Sequence, residues 1–401
     1  MKKNNKSNFC IRPFNSALIR TNGKIDICCV INSKFTEFKN TTEYNIKNIE
    51  LKKWWESDYL KYVRDNFLEN KKLKECSSCW KKENEGLSSH RTRSNYDYKT
   101  IFQNNFVRNL KLLGKDKLSF PEDIELQITN LCNLKCQMCA GKDSSKLLVE
   151  NNALKFENLK QKDYELNEAE YLKIKDIIKH DLLLINLRGG EPLINKKIIE
   201  LLSQLVKNKK AKDIILHITT NGTICNDKIL NILKNFKHIR LMISAEGTEK
   251  CNEYMRFPSS WIKIKNNISQ FKTLSNIYVY INTVVQNLNI LYLNQIVDYA
   301  YENKFFIKLE KIAQPSYLDM LNLPKKILQE SYKKLLSIEK KKLIHTENVE
   351  EIMLILEKHL KNYVFDKEKY QEFVDMIKKR DNYRSVNIKD YMPELAEEIY
   401  K

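Results

Sequence analysis

From about residue 122 the chain alternates short apolar runs with helix-like stretches, and that alternation limits the folds open to it. Six runs read as strands: DIELQIT (123–129), LLLINLR (182–188), DIILHITT (213–220), HIRLMISA (238–245), NIYVYINTVVQ (276–286) and FFIKLEKI (305–312). The clearest helix between them starts at Asn167, a good N-cap, with Glu170 three residues on as in a capping box. Strands and helices in strict alternation predict an α/β fold with a parallel sheet and right-handed crossovers. In such sheets and barrels the chemistry gathers at the C-terminal ends of the strands.

The polar motifs fall at those ends. Glycine supplies only 8 of 401 residues, far below the usual ~7%. Each glycine therefore marks a place where a side chain does not fit or φ is positive. Gly189 and Gly190 lie in LRGGEPLI, Gly222 in TTNGT and Gly247 in ISAEGT, each just after a strand-like run. After the first run comes TNLCNLKCQMCAG, with Cys132, Cys136 and Cys139 inside eight residues and Gly141 behind them. A closed zinc site needs four protein ligands, and no other cysteine or histidine lies nearby in sequence. An iron–sulfur cluster on three thiolates keeps one iron open for chemistry.

These ordered motifs resemble those of the radical S-adenosylmethionine (SAM) superfamily, over about residues 122–312. The resemblance implies a partial (β/α)6 TIM barrel. It also implies that Cys132, Cys136 and Cys139 bind a 4Fe–4S cluster whose open iron is chelated by SAM. Gly189, Gly190, Glu191 and Pro192 match the family's GGEP turn, with Glu191 as acceptor for the SAM ammonium and Pro192 at a helix N1 position. Thr219, Thr220 and Asn221, then Ser244 and Glu246, suit ribose and carboxylate contacts, although relatives often carry Asp where Glu246 stands. Arg256 resembles an arginine that pairs with the SAM carboxylate, its alternative being a surface ion pair. Met138 stands where many members place an aromatic residue near adenine.

Four more cysteines precede the barrel: Cys10, Cys28, Cys76 and Cys79. Their CX12GX4C…CX2C pattern resembles the twitch module, related to the larger SPASM domain, and implies a second, auxiliary 4Fe–4S cluster. Here the module comes before the barrel, whereas in many relatives it follows. Paired spacings of this kind also suit a zinc ribbon. Cys29 adjoins Cys28, and strand alternation puts only one of the two on the ligand side. Cys225 and Cys251 read as small buried hydrophobes, with a hydrogen-donating thiol as the alternative for Cys251. His90, Arg91 and Arg93 in SSHRTRSNYDY read either as an anion site or as a solvated basic loop.

The net charge of +19 comes from 59 lysines and only 11 arginines. Base and phosphate recognition leans on arginine, so the lysines read as solvated faces and not as a nucleic-acid surface. No run approaches the ~18 apolar residues of a membrane span, and the N-terminus lacks the apolar core of a signal peptide. A cytoplasmic protein is expected, its ten cysteines serving as ligands and buried thiols.

The expected organisation is an auxiliary-cluster module over 1–95, a connector over 96–121 with Gly114 and Pro121, the barrel over 122–315 and a helical region over 316–401. In that last region Ile327, Leu328, Tyr332, Leu335, Leu336 and Ile338 share one side of a helix. The resemblance implies one-electron cleavage of SAM and hydrogen abstraction from a substrate, with a flavodoxin- or ferredoxin-type reductant. The substrate is read as a peptide or protein, the alternative being a carbohydrate or nucleotide sugar. A zinc-binding nucleic-acid module is the non-enzymatic alternative.

Overall fold

The apolar runs fold as strands within a few residues of the expected bounds. The computed structural model describes residues 7–32, 36, 44–101 and 120–400. They form two units, one drawn from Met1–Thr129, Lys162–Gly189 and Glu200–Leu216, the other from Asn130–Gln161, Gly190–Ile199 and His217–Lys401.

In the first unit lie β1 (Ser16–Ile19), β2 (Ile25–Asp26), β3 (Asp123–Leu126) and β4 (Leu184–Leu187), in the order β2-β1-β3-β4. β1 and β2 form an antiparallel hairpin, while β1–β3 and β3–β4 are parallel. All four residues of β1, β3 and β4 are buried, as in sheets covered on both faces. The cysteine-bearing N-terminal segment is thus joined to the first barrel strand, Ser16 pairing with Asp123. The border expected at residue 95 is no break: helix His90–Ile101 runs across it. That helix also replaces the basic loop expected there. Most of the connector expected over 96–121, Gly114 included, lies outside the described residues. Helix Glu168–Ile177 starts as the sequence predicts, Asn167 and Glu170 making both halves of the capping box at 2.9 Å.

β5 (Ile215–Thr220) ends in the second unit, followed by β6 (His238–Ser244), β7 (Ile277–Val285), β8 (Phe306–Lys311) and β9 (Thr346–Glu347). β6–β7, β7–β8 and β8–β9 are parallel. The chain therefore has the α/β architecture with a mostly parallel sheet that the alternation predicts, consistent with a partial barrel. β9 is a two-residue strand within the helical C-terminal region. Two residues between helices are too short for any periodic signal. The helices that follow β8 include Lys325–Leu336, Val349–Lys361, Lys367–Arg384 and Pro393–Ile399. Of the predicted apolar stripe, Ile327, Leu328, Leu335 and Ile338 are buried and Leu336 is exposed. Among the described residues no helix is long and apolar enough to cross a membrane.

Candidate active site

Cys132 and Cys136 are buried with Leu134, and Met138 and Cys139 pack against them. Their loop has little regular structure, so its shape comes from bonds to other segments. Lys135 N–H donates to the Phe257 carbonyl at 2.6 Å and Gln137 N–H to that of Met255 at 2.8 Å. Ser144 Oγ donates to the Leu134 carbonyl at 2.6 Å. Two arginines of helix Lys367–Arg384 complete the grip. Arg384 Nη2 donates to the Lys135 carbonyl at 2.7 Å, and Arg380 Nη1 to that of Gln137 at 2.9 Å. Burial pushes the Cys132 thiol up to about 12. A hydrogen bond from Cys139 and the Arg256 cation hold the Cys136 thiol below its ordinary value. Three thiols gathered beside a guanidinium, with no fourth cysteine among them, fit a cluster that keeps one iron for an external ligand.

The GGEP turn abuts this loop. Gly190 has φ +55°, and a Cβ there would lie 2.2 Å from the Leu131 carbonyl oxygen, so only glycine fits. Glu191 N–H donates to that same carbonyl at 2.8 Å. Pro192 opens a single 3-10 turn, Pro192–Ile194, at the N-terminal position its ring favours.

The Glu191 side chain is bonded within the protein. Its carboxylate is fully buried and accepts from Thr220 Oγ1 at 2.8 Å, Asn221 N–H at 2.7 Å and Leu193 N–H at 3.0 Å. It ties the GGEP turn to the end of β5 through three protein donors. Thr220 makes that tie, while Thr219, next along the strand, is half-buried. Asn221 Nδ2 donates to Asn133 Oδ1 at 2.9 Å, and Asn133 Nδ2 to Thr223 Oγ1 at 2.8 Å, clasping the turn to the cysteine loop.

Ser244 is buried at the end of β6, opposite Asn282. Glu246 and Arg256, expected at separate parts of SAM, pair with each other. Arg256 Nε and Nη2 donate to Glu246 Oε1 at 3.1 and 2.5 Å, and Val284 N–H donates to Oε2 at 2.6 Å. The pair is buried, not a surface bridge. Arg256 Nη1 lies 3.6 Å from the Cys136 sulfur. Beside Met138 and Cys139 opens a cavity of about 560 Å³, whose wall includes Phe156, Tyr317, Glu372, Asp375, Lys379 and Arg380. Helix Lys367–Arg384 supplies four of those six, and the sequence had given no chemistry to that region.

The four N-terminal cysteines meet. Cys10, Cys28, Cys76 and Cys79 all line one small gap, together with Arg12, His90 and Arg91. Four thiols lining one gap fit the ligand set of an iron–sulfur cluster. β2 ends at Asp26, so the strand argument for Cys28 and Cys29 does not apply. Cys28 nonetheless lines the gap, and Cys29 sulfur sits 3.8 Å from His90 Nε2. Arg91 is no anion site: it donates to Glu83 at 3.0 and 2.6 Å and to the carbonyls of Ser7 and Phe9. Cys225 is half-buried, and Cys251 is a buried thiol 3.9 Å from the Met255 sulfur.

Residues 126–300 match the model of the radical SAM superfamily, and residues 10–80 match that of SPASM, an iron–sulfur cluster-binding domain. The chain is similar to GTP 3',8-cyclase of Clostridium perfringens (strain SM101 / Type A), 23% identical over 231 residues, 54% of this chain and 67% of the relative. Among solved structures, native anSMEcpe with bound AdoMet matches at 19% identity and TM-score 0.41, over 55% of this chain and 60% of that one. Streptococcus suis SuiB bound to precursor peptide SuiA matches at 15% identity and TM-score 0.37, over 78% of this chain and 60% of that one. The chain thus spans about 60% of the length of those solved proteins. It belongs to the radical SAM superfamily, with a 4Fe–4S cluster and SAM as cofactors, and it carries a SPASM auxiliary-cluster domain ahead of its core.

Proposed function

We propose that the chain modifies a peptide or protein by hydrogen abstraction. The carrying observation is the cavity of about 560 Å³ that opens beside Met138 and Cys139. When bound, the cluster and SAM supply one-electron cleavage to methionine and a 5′-deoxyadenosyl radical that takes a hydrogen atom from the substrate.

The chain's own residues position and enclose. Cys132, Cys136 and Cys139 hold the cluster, and Arg380 and Arg384 fix the carbonyls of the loop between those thiols. Gly190 lets the turn approach that loop, and Glu191 locks the turn to Asn221. Met138 supplies a polarizable thioether at the cavity wall. The wall combines acids, bases and apolar groups such as Phe156 and Met376. That mixture suits a polypeptide, which brings amide groups and side chains of several kinds to one surface. Cys10, Cys28, Cys76 and Cys79 hold the auxiliary cluster, and a flavodoxin- or ferredoxin-type protein is the reductant.

The test uses extract from cells grown on deuterated amino acids. Reduced enzyme and unlabelled SAM should yield deuterated 5′-deoxyadenosine with this extract, and protease treatment beforehand should abolish the label. Label that survives protease, but arises from cells grown on deuterated sugar, would establish the carbohydrate reading instead.

A further inference from the structure

Arg12 is buried on the wall of the four-cysteine gap and is short of partners. Its Nη1 donates to Asp123 Oδ2 at 3.2 Å, and its Nη2 lies 3.7 Å from Glu125 Oε2. Neither Nη2 nor Nε has a hydrogen-bond acceptor. Buried guanidinium N–H groups are seldom left this way, because each has lost its water. The other arginine on that wall, Arg91, is fully engaged by Glu83 and two carbonyls and stacks over Trp80 at 4.9 Å. Two cations therefore line the gap, and Arg12 is the one with spare donors.

The carboxylates behind Arg12 are themselves anchored. Asp123 accepts from Ser16 at 2.9 Å and Asn186 at 2.8 Å, and Glu125 accepts from Gln127 at 2.8 Å. They hold the guanidinium at the wall of the gap, where its N–H groups without an acceptor need one. Thiolate and sulfide sulfurs are such acceptors, and the gap is lined by four thiols.

We propose that Arg12 donates hydrogen bonds to sulfur atoms of the auxiliary cluster and thereby raises its reduction potential. The proposal rests on reading Cys10, Cys28, Cys76 and Cys79 as the ligands of that cluster. Reduction adds one negative charge, so a fixed cation and N–H donors at sulfur stabilise the reduced form more than the oxidised one. A raised potential makes the cluster a better acceptor for an electron released from substrate.

The experiment uses the full chain with Cys132→Ala, Cys136→Ala and Cys139→Ala, so that only the auxiliary cluster is present. EPR-monitored titration with dithionite gives its midpoint potential with Arg12 and in Arg12→Gln and Arg12→Lys. The expected result is a lower midpoint in Arg12→Gln and a smaller shift in Arg12→Lys, which keeps the charge but not the planar fork. An unshifted midpoint in any variant that keeps its iron overturns the proposal. Loss of iron in both variants, with the parent intact, also overturns it and makes Arg12 a folding element. A parent that binds no iron would instead sink the ligand assignment.

Discussion

Arg384 forks onto Glu150: its Nε lies 3.0 and 3.1 Å from the two carboxylate oxygens and its Nη2 lies 2.6 Å from Oε1. Both side chains are buried, and the same Nη2 reaches the Lys135 carbonyl in the cysteine loop at 2.7 Å. Arg384→Leu leaves buried Glu150 without its bidentate partner, with Lys135 at 3.0 Å and Arg380 at 3.6 Å still beside it, and should cost about 3–5 kcal/mol. Urea unfolding would show this, and an unchanged midpoint would show that the fork contributes nothing.

The same pair predicts an acid sensitivity. Burial pushes the Glu150 carboxyl up, but Arg384, Lys135 and Arg380 outweigh it and hold the group below its ordinary value. A carboxyl depressed in the folded state contributes stability that is present above its unfolded value, ~4.3, and lost as pH falls through the folded value. Stability measured between pH 6 and 3 should therefore fall less steeply in Glu150→Gln than in the wild type. Superimposable pH profiles would remove Glu150 from the acid response.

Glu191 is a positioning residue whose three donors come from Leu193, Thr220 and Asn221. In Glu191→Gln one oxygen becomes an NH2 that faces a donor, at a cost of roughly 1–3 kcal/mol. The looser turn should weaken SAM binding by roughly 5- to 150-fold. Equilibrium dialysis on anaerobically reconstituted protein reads this directly. Full SAM affinity in the variant would mean that the turn keeps its shape without the carboxylate.

Glu246 and Arg256 form a buried pair, so removing one partner strands the other. Glu246→Leu should be strongly destabilising, by about 3–5 kcal/mol, and Glu246→Leu with Arg256→Met should recover much of the loss. Additive effects in that double-mutant cycle would show that the two do not interact.

The cysteines group in space as three and four, so two clusters are expected per chain after anaerobic preparation. Cys132→Ala/Cys136→Ala/Cys139→Ala should retain roughly four irons of about eight. Stoichiometric zinc in the wild type, with no brown colour, would contradict both assignments.

The strand bounds, the capping box at Asn167 and the order of motifs were legible because each depends on residues close together in the chain. Periodicity and spacing report such local relations well. Cys132, Cys136 and Cys139 sit in one loop, so their grouping needed no tertiary knowledge. The two-residue strand β9 escaped because it has no period, and the strand argument for Cys28 failed because β2 stops at Asp26.

What only the tertiary structure decided is where the scarce charges are spent. Among the described residues six arginines are buried: Arg12, Arg64, Arg91, Arg256, Arg380 and Arg384. Among the described residues no lysine is buried. In a chain with 59 lysines, an arginine was itself a sign of planar, multi-donor bonding, yet its partner was unreadable. Arg380 lies 243 residues from Gln137, and Arg384 lies 234 from Glu150. Glu191 and Glu246 looked like ligand groups because a carboxylate's type is written in the sequence. Whether its oxygens face a substrate or three protein donors depends on which distant segments fold against it.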